Sequence, residues 1–224
     1  MGRDNNGIRR SKGEKRSNLK IRIKYNAPVS LTIIILSGAV LALNYYINNF
    51  LISNWFTADG RVSFNYSEPI SYLKFLTHIL GHTDINHYVG NAIYLILLGP
   101  ILEEKYSSKT LLSLIITTAI ISGAINAFFL DTYLLGASGV VYLFIVLISF
   151  TNIEKGEFPL SVVIVLGFYI YKELSREDTL EISLITHSVG AVIGLLYGLI
   201  TVMGGVKPPT ENLKKQSNAD TIIA

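Results

Sequence analysis

Residues 134–144 read LLGASGVVYLF, and the fold turns on what such a stretch does in the middle of this chain. Apolar side chains surround a Gly-Ala-Ser-Gly quartet, and from Gly136 to Leu143 the polar side chains are Ser138 and Tyr142. Small residues let another backbone come close, which in hydrocarbon is a principal way for two helices to associate. A serine in that setting is either packing or chemistry, and the rest of the sequence has to decide which.

The surroundings are those of a membrane protein. Of 224 residues, 50% are hydrophobic and 16% charged, and the mean hydropathy is +0.44. Soluble domains carry about 25% charged residues. Six apolar runs, near 29–50, 86–103, 110–130, 136–151, 158–172 and 182–203, reach or approach the roughly 20 residues needed to cross a bilayer core; the fifth is the shortest. The expectation is an all-α membrane protein, a single six-helix bundle over residues 28–204, between a basic tail at 1–27 and a C-terminal tail at 205–224. Both tails are polar without apolar periodicity, which predicts disorder.

Charge sets the expected orientation. Nine of the 19 basic residues lie between Arg3 and Lys24, against two acidic ones, so the positive-inside rule puts that tail in the cytoplasm. Six spans return the C-terminal tail to the same side. The EEKYSSK and NIEKGEF turns then fall inside and the net-acidic KELSREDTLE loop outside. No A-x-A-like site follows the first run, which reads as a retained span rather than a cleaved signal. Without aromatic interleaving or a recognition fold, the basic tail points to topology and anionic lipid, not nucleic acid. The chain has no cysteine, which excludes disulfides, thiolate nucleophiles and cysteine metal sites. A multi-pass protein of a prokaryotic cell membrane fits these features; the oligomeric state is left open. Residues 51–85 form the one long connection, with Trp55, Phe56, Phe64, Tyr66 and Tyr72. That content suits an ordered segment at the membrane interface.

Four histidines carry the possible chemistry: His78, His82 and His87 in THILGHTDINHYVGN, and His187 in ITHSVGAVIGLLYG. Ionisable residues within a membrane are expensive and suggest function, although a lone histidine is more readily a neutral core residue bonded to a carbonyl. Gly190, Gly194 and Gly198 recur every fourth residue, making a seam into which another helix can fit, and His187 lies one turn outside Gly190. If the GASG helix fills that seam, Ser138 meets His187, and an imidazole in reach can take the serine proton during attack. Neither span holds an acid to complete a triad, so the pattern is a dyad. Tyr142 is on the same helical face as Ser138 and can support the imidazole. The Ser138 backbone N–H, free at a helix start, and the i, i+4 pair His87 and Asn91 can donate to a developing oxyanion. A polar interhelical clamp is the plain alternative for that pair.

Together HILGHTDINHYVGN, GASG and HSVGAVIG resemble the rhomboid intramembrane serine proteases, with HxxxN, GxSG and HxxGxxxG in order on the second, fourth and sixth spans. The resemblance covers about residues 29 to 204 and implies a six-helix bundle whose active site opens to the extracytoplasmic side. It implies Ser138 as nucleophile, His187 as general base with Tyr142 stacked on it, and His87 and Asn91 at the oxyanion site. Gly136 and Gly139 give the tight helix start, and Gly190 and Gly194 the facing seam. His82 falls at a family position on the water-accessible side of the site, His78 at one tied to loop structure, and Glu103 at a structural carboxylate. The implied substrates are transmembrane segments of other proteins, with no cofactor and no metal, and the short fifth span and the 173–181 loop are candidate gates. One departure stands out: many members have Trp-Arg where this chain has Leu73-Lys74, which puts the anchoring of the outer loop in question. Two other functions compete. One is a non-catalytic member that binds client helices, against which intact Ser138 and His187 speak. The other is a metal site on His78, His82 and His87, for which no HExxH or paired carboxylate is present.

Overall fold

The computed structural model describes residues 25–47, 50–154, 156–174 and 180–204. The expectations for both tails, and for most of the 173–181 loop, lie outside those residues. The described chain is helical: α1 Pro28–Tyr46, α2 Phe50–Trp55, α3 Pro69–Thr77, a 3-10 turn His78–Leu80, α4 Ile85–Tyr106, α5 Ser108–Phe129, α6 Ser138–Ile148, α7 Leu160–Leu174 and α8 Leu180–Val202. Among them, α1, α4, α5 and residues Ile185–Val202 of α8 are long and apolar enough to cross a membrane.

α6 departs from the run that announced it. The apolar run covers 136–151, but the helix has only 11 residues, a length of about 16 Å. Gly136, at φ 114°, stops it from starting earlier. At the far end Ser149, Phe150 and Thr151 bond back three residues, to Val146, Leu147 and Ile148, tightening the last turn out of α-geometry. A helix half as long as the hydrocarbon is thick is tolerable because it sits in the middle: Val140, Leu143, Phe144, Val146 and Leu147 have no exposed surface. The non-helical backbone leading to it is enclosed by protein as well, with Leu134, Gly136 and Ala137 buried.

The long connection between α1 and α4 is ordered by its aromatic residues, as their number suggested. Phe64, itself buried, has the rings of Tyr66, Tyr72, Phe75 and Phe128 at 5.0, 5.2, 5.4 and 5.8 Å. Asn126 of α5 ties this layer to the segment before α6: its amide donates to the carbonyls of Ala58, Asp59 and Thr132 at 3.3, 3.1 and 2.9 Å. Ala58 and Leu134 also exchange backbone bonds of 2.8 and 2.9 Å. The question raised by Leu73-Lys74 has a local answer. Leu73 is exposed, while the Lys74 ammonium donates to Asp59 at 2.8 Å with both side chains mostly covered. The stem of Lys74 reaches inward across α3, so the loop is held by an ion pair.

At the opposite end, Glu103 of α4 closes the start of α1. Its carboxylate, 4% exposed, accepts from the Val29 and Ser30 N–H groups at 3.2 and 2.8 Å. It also accepts from the Ser30 and Ser108 hydroxyls at 2.8 and 2.5 Å. A negative group on the bare first-turn donors of a helix also meets the positive end of its dipole.

Candidate active site

Ser138 opens α6 and is half-buried. Around it, three elements come together through contacts that leave no room for side-chain growth. A Cβ on Gly190 of α8 would run into the carbonyl oxygen of Gly139. A Cβ on Gly139 would lie 3.2 Å from both the carbonyl oxygen and the Cγ2 of Thr186. The residue after Ser138 therefore touches the residue before His187. One turn along α6, the Tyr142 ring stacks on the His187 ring with centroids 4.3 Å apart and planes 28° from parallel. His187 is 7% exposed. Gly194 continues the seam, its Cβ position 2.9 Å from the Leu143 carbonyl oxygen, while Gly198 meets the Phe150 ring.

The third element is α4. Asp84 caps it, accepting from Asn86 N–H and His87 N–H at 2.8 and 3.0 Å, which fixes the first turn and hence the face shared by His87 and Asn91. That face meets the segment leading into α6: a Cβ on Gly136 would be 2.7 Å from His87 Nε2 and 3.8 Å from Asn91 Nδ2. Gly136 N–H donates to the His78 carbonyl at 2.9 Å. His87 and Asn91 thus adjoin Gly136, two residues before Ser138, while Gly139, Tyr142, His187, Gly190 and Gly194 join α6 to α8 beyond it.

His82 stands behind this group. Its ring is 1% exposed, more enclosed than a water-accessible position implies. Nδ1 lies 3.3 Å from the Leu80 carbonyl, and Nε2 lies 3.1 Å from Asn91 Nδ2. A carbonyl only accepts, so Nδ1 carries the proton and Nε2 accepts from the Asn91 amide. Burial first, then the neighbouring His87, pushes His82 down to about 4, which keeps this tautomer neutral and holds Asn91 in place. His78 faces elsewhere, with Nδ1 on the Lys74 carbonyl at 3.2 Å and Nε2 3.5 Å from Ser122 Oγ; burial pushes it down to about 4 as well. Among the described residues no three His, Cys, Asp or Glu side chains converge as metal ligands would. The Asp84 carboxyl is held below the usual range, mainly by the His87 N–H and then the Thr83 hydroxyl.

Thr83, Asn126 and Thr186 carry no signal in the sequence, whereas Asp84 stands out as the one carboxylate near His78, His82 and His87. Asp84 was findable: an acidic residue just before an apolar helix is an N-cap signal. Nothing in the sequence marks Asn126 or Thr186, because Ala58 and Asp59 on the one side and Gly139 on the other are far away along the chain.

A multi-pass helical protein with serine and histidine on two helices locked by glycine is the class that fold and site define. A family model described as Rhomboid domain matches residues 69–204, and the chain belongs to the rhomboid family. It is 25% identical over 176 residues to the rhomboid protease GlpG of Photorhabdus laumondii, an alignment covering 77% of this chain and 61% of that protein. It is 24% identical over 179 residues to the rhomboid protease GlpG of Yersinia pestis strain Pestoides F, covering 75% and 61%. The chain thus spans about three-fifths of the length of these relatives.

Proposed function

We propose that this chain is an intramembrane serine endopeptidase that cuts transmembrane segments of other proteins through a Ser138–His187 dyad. One observation carries the proposal. The stack of Tyr142 on His187, one turn from Ser138, occurs where Gly190 meets the Gly139 carbonyl, so the helix bearing the base cannot slide from the helix bearing the nucleophile. His187 takes the Ser138 hydroxyl proton as the oxygen attacks the scissile carbonyl. The resulting oxyanion faces the Ser138 N–H, the Asn91 amide and His87. Removing one such donor costs about 10² to 10³ in kcat. His187 then protonates the leaving amine, and water repeats the sequence on the ester. This chemistry calls for no metal. Substrates need a scissile bond freed from helical hydrogen bonds, which favours Gly, Ala or Pro near the cut. The same proposal includes six membrane-crossing helices over 28–204, with α6 and α7 completing the four long ones. It also includes both tails in the cytoplasm, a site opening outward, and entry beside α7.

The test uses protein reconstituted in bilayers with a tagged single-span substrate bearing Gly-Ala near its outer end. Cleavage by the wild type, abolished by Ser138→Ala and by His187→Ala and unaffected by a chelator, is the expected result. Binding without cleavage would establish a client-binding protein instead, and chelator-sensitive cleavage would reopen a histidine metal site.

A further inference from the structure

The two nitrogens of His87 face different partners. Nε2 is the atom that a Cβ on Gly136 would meet at 2.7 Å, so it looks toward the start of α6. Nδ1 lies 3.2 Å from Thr83 Oγ1. Thr83 has one hydroxyl proton, and that proton is donated to Asp84 Oδ2 at 2.7 Å, because an ionised carboxylate can only accept. Thr83 therefore offers His87 a lone pair, and Nδ1 has to supply the proton between them. In a neutral imidazole the other nitrogen is then a bare acceptor. A lone pair on Nε2 cannot hold an oxyanion; the ring can donate from that side only after taking a second proton.

We infer that Thr83 and Asp84 act as a positioning pair that selects which nitrogen of His87 bears its proton, and so make its donor role at the oxyanion site conditional on protonation. The inference rests on the proposed protease function for its consequence, though not for its geometry. Asp84 attracts the Thr83 proton, Thr83 holds the His87 proton on Nδ1, and the proton that arms Nε2 comes from solvent. Thr83 and Asp84 are both exposed. As the oxyanion forms, this Nε2 proton is shared with it and returns to the ring when the carbonyl is restored, so His87 ends the cycle as it began. The ionisable neighbours are few. Asp84 precedes the helix, and His82 lies edge-on at 5.0 Å between ring centroids. Burial keeps His82 neutral, and its bonds to Leu80 and Asn91 fix its tautomer. Tyr142 and His187 belong to α6 and α8, the segment 134–137 has no ionisable side chain, and α1 carries no Asp, Glu, Lys, Arg or His.

Asp84→Asn inverts the arrangement while keeping a good helix cap. The new amide donates to Thr83, whose own proton turns to His87 Nδ1, leaving the neutral ring with its proton on Nε2. Full-length protein labelled with nitrogen-15 at histidine, with His87→Gln to assign the signal, reads the tautomer directly at about pH 8. The wild type should show neutral His87 protonated at Nδ1, and Asp84→Asn should show it protonated at Nε2. Thr83→Val should also release the Nε2-protonated form, and Thr83→Ser should restore the wild-type state. In cleavage assays, kcat of the wild type should fall on the alkaline side, while Asp84→Asn should hold its kcat to higher pH, several-fold above wild type near pH 9, with KM little changed. The same tautomer in wild type, Asp84→Asn and Thr83→Val, or superimposable alkaline limbs, would overturn the inference. Failure of the wild type to cleave would instead remove the protease function and leave the tautomer result standing.

Discussion

Gly136 is constrained twice over. Its φ of 114° lies where side chains are strained, at a cost of about 1–3 kcal/mol, and the space for a Cβ is already filled by His87 Nε2. Gly136→Ala should lower kcat by about 10² to 10³, the loss expected when an oxyanion donor is displaced, with KM little changed; steady-state cleavage kinetics check this. Tyr142→Phe should keep most activity because the ring, stacked at 4.3 Å, is retained. Tyr142→Ala should lose at least tenfold, and the pair of variants separates stacking from hydroxyl chemistry. At this scale the sequence was readable where residues sit on one helix: His87 with Asn91, Ser138 with Tyr142, His187 with Gly190. It was mute on Thr83, whose part depends on which way one hydroxyl proton points, and on Asn126, whose acceptors Ala58 and Asp59 lie far back along the chain.

Between elements, contact is governed by what is missing from side chains. The seam of α8 admits α6 only because Gly190 has nothing to place against the Gly139 carbonyl. Gly190→Val should destabilise the fold by roughly 3 kcal/mol. Because a displacement of about 1 Å can cost 10² in rate, activity should fall further than stability does; thermal denaturation in detergent alongside cleavage rates distinguishes the two. The connection between α1 and α4 offers a different case. Lys74→Met strands the mostly covered Asp59 carboxylate, at a cost of about 3 kcal/mol, and limited proteolysis should find the loop more accessible. The double substitution Lys74→Met with Asp59→Leu should recover much of the loss. Apolar periodicity made the long helices legible, but not the short reach of α6, which depends on one backbone angle and on the neighbours that enclose its entry.

For the molecule as a whole, the two buried histidines outside the spans set an acid limit. His78 and His82 titrate near 6.5 when unfolded but are pushed down to about 4 in the fold. Between those values the unfolded chain binds more protons, so stability falls as pH falls from 6.5 toward 4 and is fully present above 6.5. Each histidine contributes at most about 1.4 kcal/mol per pH unit. Melting temperatures measured from pH 7.5 down to pH 4.5 should drop, and His78→Gln should flatten the slope. Glu103, finally, joins two moments in the making of the protein. Val29 and Ser30 are translated more than 70 residues before the carboxylate that binds them, so α1 must enter the bilayer with the donors of its first turn still served by water. Only when α4 has followed can the chain exchange that water for its own side chain, and the order of synthesis becomes an order of closure.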